Sequence, residues 1–343
     1  MSQAMEPFTR DGMENRMRWD RSSDRFMEVW YTTLSHGSTG AGVWLRYTLT
    51  SPRSGDPYCE LWGFVFDPEG KHSFAAKRRF AIDSLGPSNV QDGRALVCIA
   101  DAWLSESHLE GGLSDADGKT LSWSLDFTPA PATYQHIPSA LRKRVEKRVS
   151  VVCSPNLSVP FTGTVSIDSH TLSFSGERGC QSHRWGRRHS QTWAWAHCSS
   201  FESGDALFEG VAARTRFGPF QSPTITLLYL ENAGERLVFT EPKWALRARS
   251  RYEMPTWAFT AHNDAWRIAG AARSGIDRLV QVRYEDPDGS ERYCANSEIS
   301  DLAIEIYGKT SLGWKHARSL TALRSAHLEF GREAPYPKPP VAF

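Results

Sequence analysis

Short runs in which apolar and polar residues alternate recur along almost the whole chain, and turn residues bound each run. In GVWLRYTLTSP, for example, the odd-numbered residues from Val43 to Leu49 share one face of an extended chain and the even-numbered residues share the other. This is the pattern of a β-strand with one buried side. Because open sheet edges invite aggregation, many such strands must close into barrels or pack as sandwiches. The sequence therefore predicts an all-β protein with little helix.

Turn and helix signals fit the same fold class. Four short segments have the composition of hairpin turns: Asp67–Gly70, Asp117–Gly118, Asn232–Gly234 and Asp286–Gly289. One basic stretch, SALRKRVEKR at 139–148, predicts either a short exposed helix or a charged linker.

The chain is long enough for more than one domain. Its 343 residues exceed the size at which a single hydrophobic core usually stops growing. Strands occur in similar numbers on both sides of a tryptophan-rich stretch near residue 190, so we expect two antiparallel β-barrel domains packed together. The predicted organisation is an N-terminal extension at 1–25, a β domain at 26–190, a second β domain at 191–335 and a tail at 336–343.

Composition narrows the partners and the compartment. Forty basic and 39 acidic residues give a net charge of +1, which supplies no electrostatic reason for a nucleic-acid or membrane-surface partner. No apolar run approaches the roughly 20 residues needed to cross a bilayer. The charged first 25 residues lack the apolar segment of a secretory signal, so a cytoplasmic location is expected. Six dispersed cysteines without a CxxC pair indicate reduced thiols.

The most unusual stretch, residues 179–197, contains three tryptophans, three histidines and three arginines. Burying arginine or histidine is costly unless the group is paired, whereas indole rings form rigid apolar walls. The stretch indicates either a lined cavity or a strand with an aromatic core face and a solvated basic face. Strand parity places Trp193, Trp195 and His197 on one face opposite small residues, which is typical of a strand that lines a cavity on one side.

Common catalytic and cofactor motifs are absent from the sequence. It contains no GxSxG, HExxH or GxGxxG pattern. A zinc site built from Cys180, His183, His197 and Cys198 has workable spacing. However, His197 and Cys198 are neighbours and would point to opposite faces of a strand. We therefore expect no metal and no cofactor.

Two segments of the unusual stretch carry a family resemblance. SHRWG at 182–186, followed by WAW at 193–195, resembles the Asp-His-Asn-Trp-Gly … Trp-x-Trp signature of the two-domain lipocalin-like proteins. These include carotenoid 1,2-hydratases (hydroxyneurosporene synthases), AttH-type proteins and, more distantly, tocopherol cyclases and lipocalin-like Diels–Alderases. EVWY at 28–31 is similar to the motif that opens the family's first barrel, and SAHLEFG at 325–331 is similar to its closing strand. The chain departs from the signature at Ser182 and Arg184.

The resemblance implies an enzyme whose isoprenoid, polyene or polyketide-like substrate lies between or inside two β-barrels. It also implies cofactor-independent cyclisation, hydration or pericyclic ring closure. His183 and Trp185 match the functional signature, and Glu209 falls near the position of a family acid. Apolar sequence neighbours are expected to raise the pKa of Glu209 and keep it protonated. An ion pair with Arg214 or Arg216 is the alternative for Glu209.

The predicted site follows from these residues. His183 and Glu209 are the candidate catalytic residues. Aromatic faces would stabilise a carbocation, and an arginine would bind a carboxylate or enolate of the substrate. The candidate substrate-binding residues are Trp185, Trp193, Trp195, Glu28, Trp30, Tyr31, Arg187 and His197.

A non-catalytic carrier of a hydrophobic ligand is the alternative function. An unpaired ionisable group inside an otherwise apolar pocket would separate the two functions, because a carrier gains nothing from it.

Overall fold

The computed structural model describes residues 7–9, 13–86, 95–137, 142, 145–146, 149–217 and 219–343. Two large antiparallel sheets dominate these residues, and the all-β fold predicted from the alternation pattern is confirmed. Helical elements are short: α1 (Pro242–Ala245) and the 3-10 turns Ile82–Ser84 and Ile276–Arg278. Most of the 139–148 segment, for which the sequence predicts a helix or a linker, lies outside the described residues. None of the helices in the described ranges is long and apolar enough to span a membrane.

Within the described residues, the first sheet comprises twelve strands, β1 to β12. Their spatial order is 5-4-3-2-12-11-9-8-7-6, with β10 beside β11 and β1 beside β10. Pairing of β2 with β12 joins the start of this part of the chain to its end. The strands are β1 (Phe8–Thr9), β2 (Phe26–Ser35), β3 (Gly42–Ser51), β4 (Tyr58–Phe66), β5 (Phe74–Ala81), β6 (Ala95–Ile99), β7 (Ala102–Ser105), β8 (His108–Ser114), β9 (Thr120–Phe127), β10 (Thr133–Gln135), β11 (Val151–Ile167) and β12 (His170–Gly186).

The second sheet has the spatial order 18-17-14-13-24-23-21-20-19, with β22 beside β23. Here β13 pairs with the final strand β24. A small separate hairpin contains β15 (Arg216–Phe217) and β16 (Phe220–Gln221). The other strands are β13 (Thr192–Cys198), β14 (Ala206–Arg214), β17 (Ile225–Asn232), β18 (Glu235–Val238), β19 (Arg249–Glu253), β20 (Thr256–His262), β21 (Trp266–Arg273), β22 (Val280–Glu285), β23 (Glu291–Thr310) and β24 (Gly313–Arg332).

The four predicted hairpin turns join β4 to β5, β8 to β9, β17 to β18, and β22 to β23. In the last of these, the Gly289 N–H donates to the Asp286 carbonyl oxygen at 2.9 Å. Gly289 has a φ of 87°, a conformation that glycine adopts without strain. This turn also contains Asp286, whose carboxylate is part of the candidate site.

Three apolar clusters explain how the sheets pack. The first cluster packs on the inner face of the first sheet and includes Trp30, Leu45 and Tyr47. The second cluster packs on the inner face of the second sheet and includes Phe208, Trp257 and Phe259. The third cluster draws on both sheets and includes Trp44, Trp62, Phe64, Trp193, Trp195 and Tyr284. The outer faces of the two sheets therefore meet in an aromatic layer, and this layer contains the candidate site.

Candidate functional site

A cavity of about 460 Å³ lies between the outer faces of the two sheets. Small-molecule sites usually have volumes of roughly 300 to 1,000 Å³ and predominantly apolar walls. The wall of this cavity includes Tyr31, Trp44, Trp193, Trp195, Val211 and Leu227. We call this space the interbarrel cavity.

Strand alternation explains which side chains face the cavity. On β13, Trp193 and Trp195 line the cavity, whereas Ala194 and Ala196 pack into the interior of the second sheet. On β2, Tyr31 faces the cavity and Trp30 packs into the interior of the first sheet. The cavity is therefore formed by the outer faces of both sheets.

Hydrogen bonds fix the orientation of both cavity tryptophans. The indole Nε1–H of Trp193 donates to Glu329 at 2.5 Å, and that of Trp195 donates to Glu209 at 2.5 Å. Trp193 also lies against Gly331 on the neighbouring strand β24. A Cβ atom at Gly331 would come within 2.1 Å of the Trp193 ring, so the ring occupies the space that only a glycine leaves free.

We expect Gly331→Ala to lower the free energy of unfolding by about 1–3 kcal/mol, because the added methyl group overlaps the Trp193 ring. Gly308→Ala is the matched control, since a Cβ atom there meets its nearest neighbour, Trp266, at 3.5 Å. Denaturant titration of both variants provides the measurement. Equal stability of the two variants would show that Trp193 is not held against Gly331.

The carboxylate of Glu209 is the centre of a buried polar cluster formed with His136, Trp195 and His197. Glu209 is 0% exposed. It lies 2.6 Å from His136 Nε2 and 3.0 Å from His197 Nδ1, in addition to the Trp195 contact. Burial raises its pKa, but the hydrogen bonds and positive charges of the two histidines outweigh burial and lower the pKa from 4.5 to about 2.

Glu209 is therefore ionised, and the expectation of a protonated carboxyl is wrong. Its sequence neighbours are apolar, but its donors come from His136, Trp195 and His197 on other segments. Among the described residues, neither Arg214 nor Arg216 forms an ion pair with it. The Arg214 guanidinium instead donates from Nε to Thr224 at 2.8 Å.

His136 brings the polar cluster to the cavity wall. Its Nε2 faces the Glu209 carboxylate, and its Nδ1 lies 3.2 Å from the carbonyl oxygen of Val152. Both partners can accept a hydrogen bond, so either ring nitrogen of His136 can serve as a donor. The arrangement places a candidate proton donor beside an apolar cavity.

His189 lies in the connection between β12 and β13, and its environment is the opposite. Its Nδ1 is 2.5 Å from an Asp286 carboxylate oxygen, and its ring stacks against the rings of Trp193 and Tyr284, with centroids 5.4 and 4.8 Å away. Burial and the nearby positive charge of Arg184 lower the pKa of His189 from 6.5 to about 3, despite the attraction of Asp286. The ring is therefore neutral. With Nδ1–H donating to Asp286, Nε2 carries a lone pair.

The second nitrogen of His189 is available for chemistry. His189 lines the cavity, and Nε2 has no hydrogen-bond partner among the described residues. A buried lone pair without a donor is costly in a purely structural side chain. A carboxylate that fixes the tautomer of a neutral imidazole on a cavity wall is an arrangement that general bases use.

Two arginines also lie on the wall of the cavity, Arg46 on β3 and Arg184 on β12. The Arg46 guanidinium lies 4.5 Å from the Tyr284 ring centroid and 4.9 Å from that of Trp62. Its Nε donates to Thr48 at 2.9 Å. These contacts keep a positive charge in place beside the aromatic layer.

Four predicted residues lie on the other side of the first sheet from the cavity: His183, Glu28, Trp30 and Trp185. His183 Nε2 is 2.9 Å from Glu28, and Nδ1 is 2.5 Å from the backbone oxygen of Glu14. Glu28 also accepts the backbone N–H groups of residues 18 and 19. The pair therefore connects the N-terminal segment to the barrel and does not line the cavity.

The other predicted residues divide between the site and the surface. Tyr31, Trp193 and Trp195 line the cavity, and Glu209 and His197 lie immediately behind its wall in the polar cluster. Arg187 is exposed and does not line the cavity. Arg187 follows the end of β12, whereas Arg184 lies within the strand and faces the cavity.

Sequence reasoning missed His136, His189, Asp286, Arg46 and Arg184 as site residues. His189 and Arg184 fall inside the stretch that the sequence singles out, so their composition was a usable signal. Asp286 was interpreted only as a turn residue. Nothing local in the sequence connects His189 with Asp286, because 97 positions separate them.

Sequence comparison finds uncharacterized relatives of this chain. No family model matches the chain. The chain is similar to the uncharacterized proteins MT0513 and Rv0493c of two Mycobacterium tuberculosis strains. Each is 26% identical over 305 residues, which cover 88% of this chain and 87% of the relative.

Two solved structures share the architecture of this chain, which is that of the lipocalin-like AttH-type proteins. One is a protein assigned as AttH from Nitrosomonas europaea, with a TM-score of 0.50 and 11% identity over 90% of this chain and 93% of that chain. The other is kievitone hydratase from Nectria haematococca, with a TM-score of 0.52 and 8% identity over 97% of this chain and 95% of that chain. The resemblance carried by residues 182–195 is confirmed at the level of the fold.

Proposed function

We propose that this protein is an enzyme that acts on a hydrophobic small molecule by cofactor-independent proton transfer, as in a hydration or a cyclisation. The observation that carries this proposal is the neutral His189, which lies on the wall of a mainly apolar cavity and whose buried Nε2 has no hydrogen-bond partner in the described residues. Such a group reduces stability and gives a carrier no advantage. That a protein of the same fold is named a hydratase supports this class of reaction.

The two histidines on the cavity wall, His136 and His189, would have complementary roles. His136 faces two hydrogen-bond acceptors, Glu209 and the Val152 carbonyl oxygen, and would act as a proton donor, whereas His189 is held neutral beside Asp286. Pairs of titratable groups whose environments differ in this way are typical of acid–base catalysis. In a hydration, His189 would take the proton lost by the attacking water. His136 would give a proton to an alkene carbon once one of its ring N–H groups leaves its protein acceptor.

Other residues would support this chemistry. The ring faces of Trp193 and Trp195 would stabilise a carbocation formed beside them. Glu209, a predicted catalytic residue, would act by orienting the ring of His136. His183, the other predicted catalytic residue, has no role in this proposal because the first sheet separates it from the cavity.

A solvent-isotope experiment tests the proposal. Apolar molecules that copurify with the protein are extracted, identified by mass spectrometry and returned to the protein in D2O. We expect deuterium to appear on carbon in the recovered molecule or its product, because His136 exchanges its protons with solvent. Heat-denatured protein is the control. Recovery of the molecule unchanged would support the carrier function, and an isomer without deuterium would support a pericyclic reaction.

A further inference from the structure

We infer that the substrate of the interbarrel cavity carries a carboxylate at one end of its apolar body, and that Arg184 and Arg46 bind this group. The inference rests on the proposed function, since it concerns the molecule on which the cavity acts. It also names the residues that would position that molecule.

The two arginines share one face of the first sheet. Arg46 on β3 is paired in register with Tyr31 on β2, and Arg184 on β12 is paired with Val29. Because alternate residues of a strand point to the same side, Tyr31 and Val29 face the cavity together. The two guanidinium groups therefore approach the cavity on either side of Tyr31.

Neither guanidinium has an anionic partner among the described residues. In the described part of the chain, no carboxylate lies within ion-pair distance of Arg46 or Arg184, and Arg184 makes no side-chain hydrogen bond. The nearby carboxylates are engaged elsewhere: Asp286 accepts from His189, and Glu329 accepts from Trp193. A half-buried arginine on β5, Arg79, shows the usual solution, with Glu60 at 2.8 Å.

This lack of a partner is costly for a structural residue. Burial lowers the pKa of Arg184, and the charge of Arg46 acts in the same direction, so that the opposing charges of Asp286 and Glu329 do not restore it. A planar guanidinium with several free N–H groups matches the two oxygens of a carboxylate. A bound carboxylate would supply the missing counter-charge in a site that is otherwise apolar.

The same binding event would improve His189 as a base. The positive charge of Arg184 is one of the causes that hold the pKa of His189 at about 3. A carboxylate bound to Arg184 would offset that charge and raise the proton affinity of His189 Nε2 when the substrate is in place. Substrate binding and base strength would thus be coupled through one arginine.

A matched pair of ligands tests the carboxylate. cis-Parinaric acid and its methyl ester have the same apolar chain, and only the acid is ionised at neutral pH. Both are titrated into the protein, and binding is followed by energy transfer from tryptophan. We expect the acid to bind about 10- to 100-fold more tightly than the ester, which is the usual contribution of charge-assisted hydrogen bonds.

Substitutions assign this preference to Arg184. Arg184→Gln should reduce the acid-to-ester preference to within about threefold, while the affinity for the ester stays unchanged and so reports an intact cavity. Arg184→Lys should retain part of the preference, because the charge remains but the fork of donors is lost. Arg187→Gln removes the same charge at an exposed neighbouring position and should behave as wild type.

The outcomes separate the inference from the function on which it rests. Equal affinity of the wild-type protein for acid and ester would overturn the carboxylate inference and leave a cavity for hydrophobic molecules. A full preference in Arg184→Gln would also overturn the inference. Failure of both ligands to bind would overturn the inference together with the proposed function.

Discussion

Replacing His189 with alanine is expected to slow proton exchange into the bound molecule by about 10²- to 10⁴-fold, the usual contribution of a positioned acid or base. The reason is geometric, because His189 lines the cavity and its buried Nε2 has no hydrogen-bond partner in the described residues. Incorporation of deuterium from D2O into carbon positions of the copurified molecule gives the rate. The substitution leaves a space of imidazole size beside the rings of Trp193 and Tyr284. Added imidazole should therefore restore part of the rate.

Two further variants separate chemistry from packing. Asp286→Asn keeps the shape of the partner but lets an amide N–H face His189 Nδ1, which favours the wrong tautomer of the ring. We expect it to slow exchange as well. His316→Ala removes an exposed histidine from β24 and should leave exchange unchanged. Wild-type exchange in His189→Ala, measured on protein with an intact melting transition, would contradict a role for this residue in proton transfer.

The fold was predictable because its information is local. Alternation from residue to residue identifies strands such as β3, and glycine at Gly70 or Gly289 marks the tight turns between them. Alternation also places Trp193 and Trp195 on one face of β13. These features depend on residues within a few positions of one another, so a single sequence is sufficient to find them.

The side chains that face the cavity on one strand do not reveal which side chains face it on the next strand. Strand β12 ends at Gly186 and β13 begins at Thr192, and the connection between them resets the phase of the alternation. On β12 the even-numbered Arg184 faces the cavity, whereas on β13 the odd-numbered Trp193 does. The family signature drew attention to His183, which belongs to the opposite face of its strand.

Partners distant in sequence decide the electrostatics of the site. Glu209 and His136 are 73 positions apart, and the contact forms only when the two sheets pack together. Apolar sequence neighbours correctly indicated that Glu209 is buried. They could not indicate the donors that keep it ionised, so the predicted direction of the pKa shift was wrong.

Glu209→Gln is expected to lower the free energy of unfolding by about 3–5 kcal/mol, the usual result of removing one partner from a buried ion pair. Glutamine cannot accept from His136, Trp195 and His197 as a carboxylate does, and its amide N–H groups would face other donors. Denaturant titration at neutral pH gives the measurement. The surface offers a matched control: Glu305 lies 2.6 Å from His316, but both side chains are about half exposed. Glu305→Gln should therefore cost no more than about 1 kcal/mol.

The difference in stability between the wild-type protein and Glu209→Gln should become smaller as the pH is lowered. The pKa of Glu209 is lowered from 4.5 to about 2 in the folded protein, so its ionised form stabilises the fold. This contribution is complete above pH 4.5 and is lost as the pH falls through about 2. The wild-type protein and Glu209→Gln should therefore converge in stability as the pH is lowered across this range. A difference that stays constant, or a variant as stable as Glu305→Gln at neutral pH, would show that Glu209 is not the charged centre of the cluster.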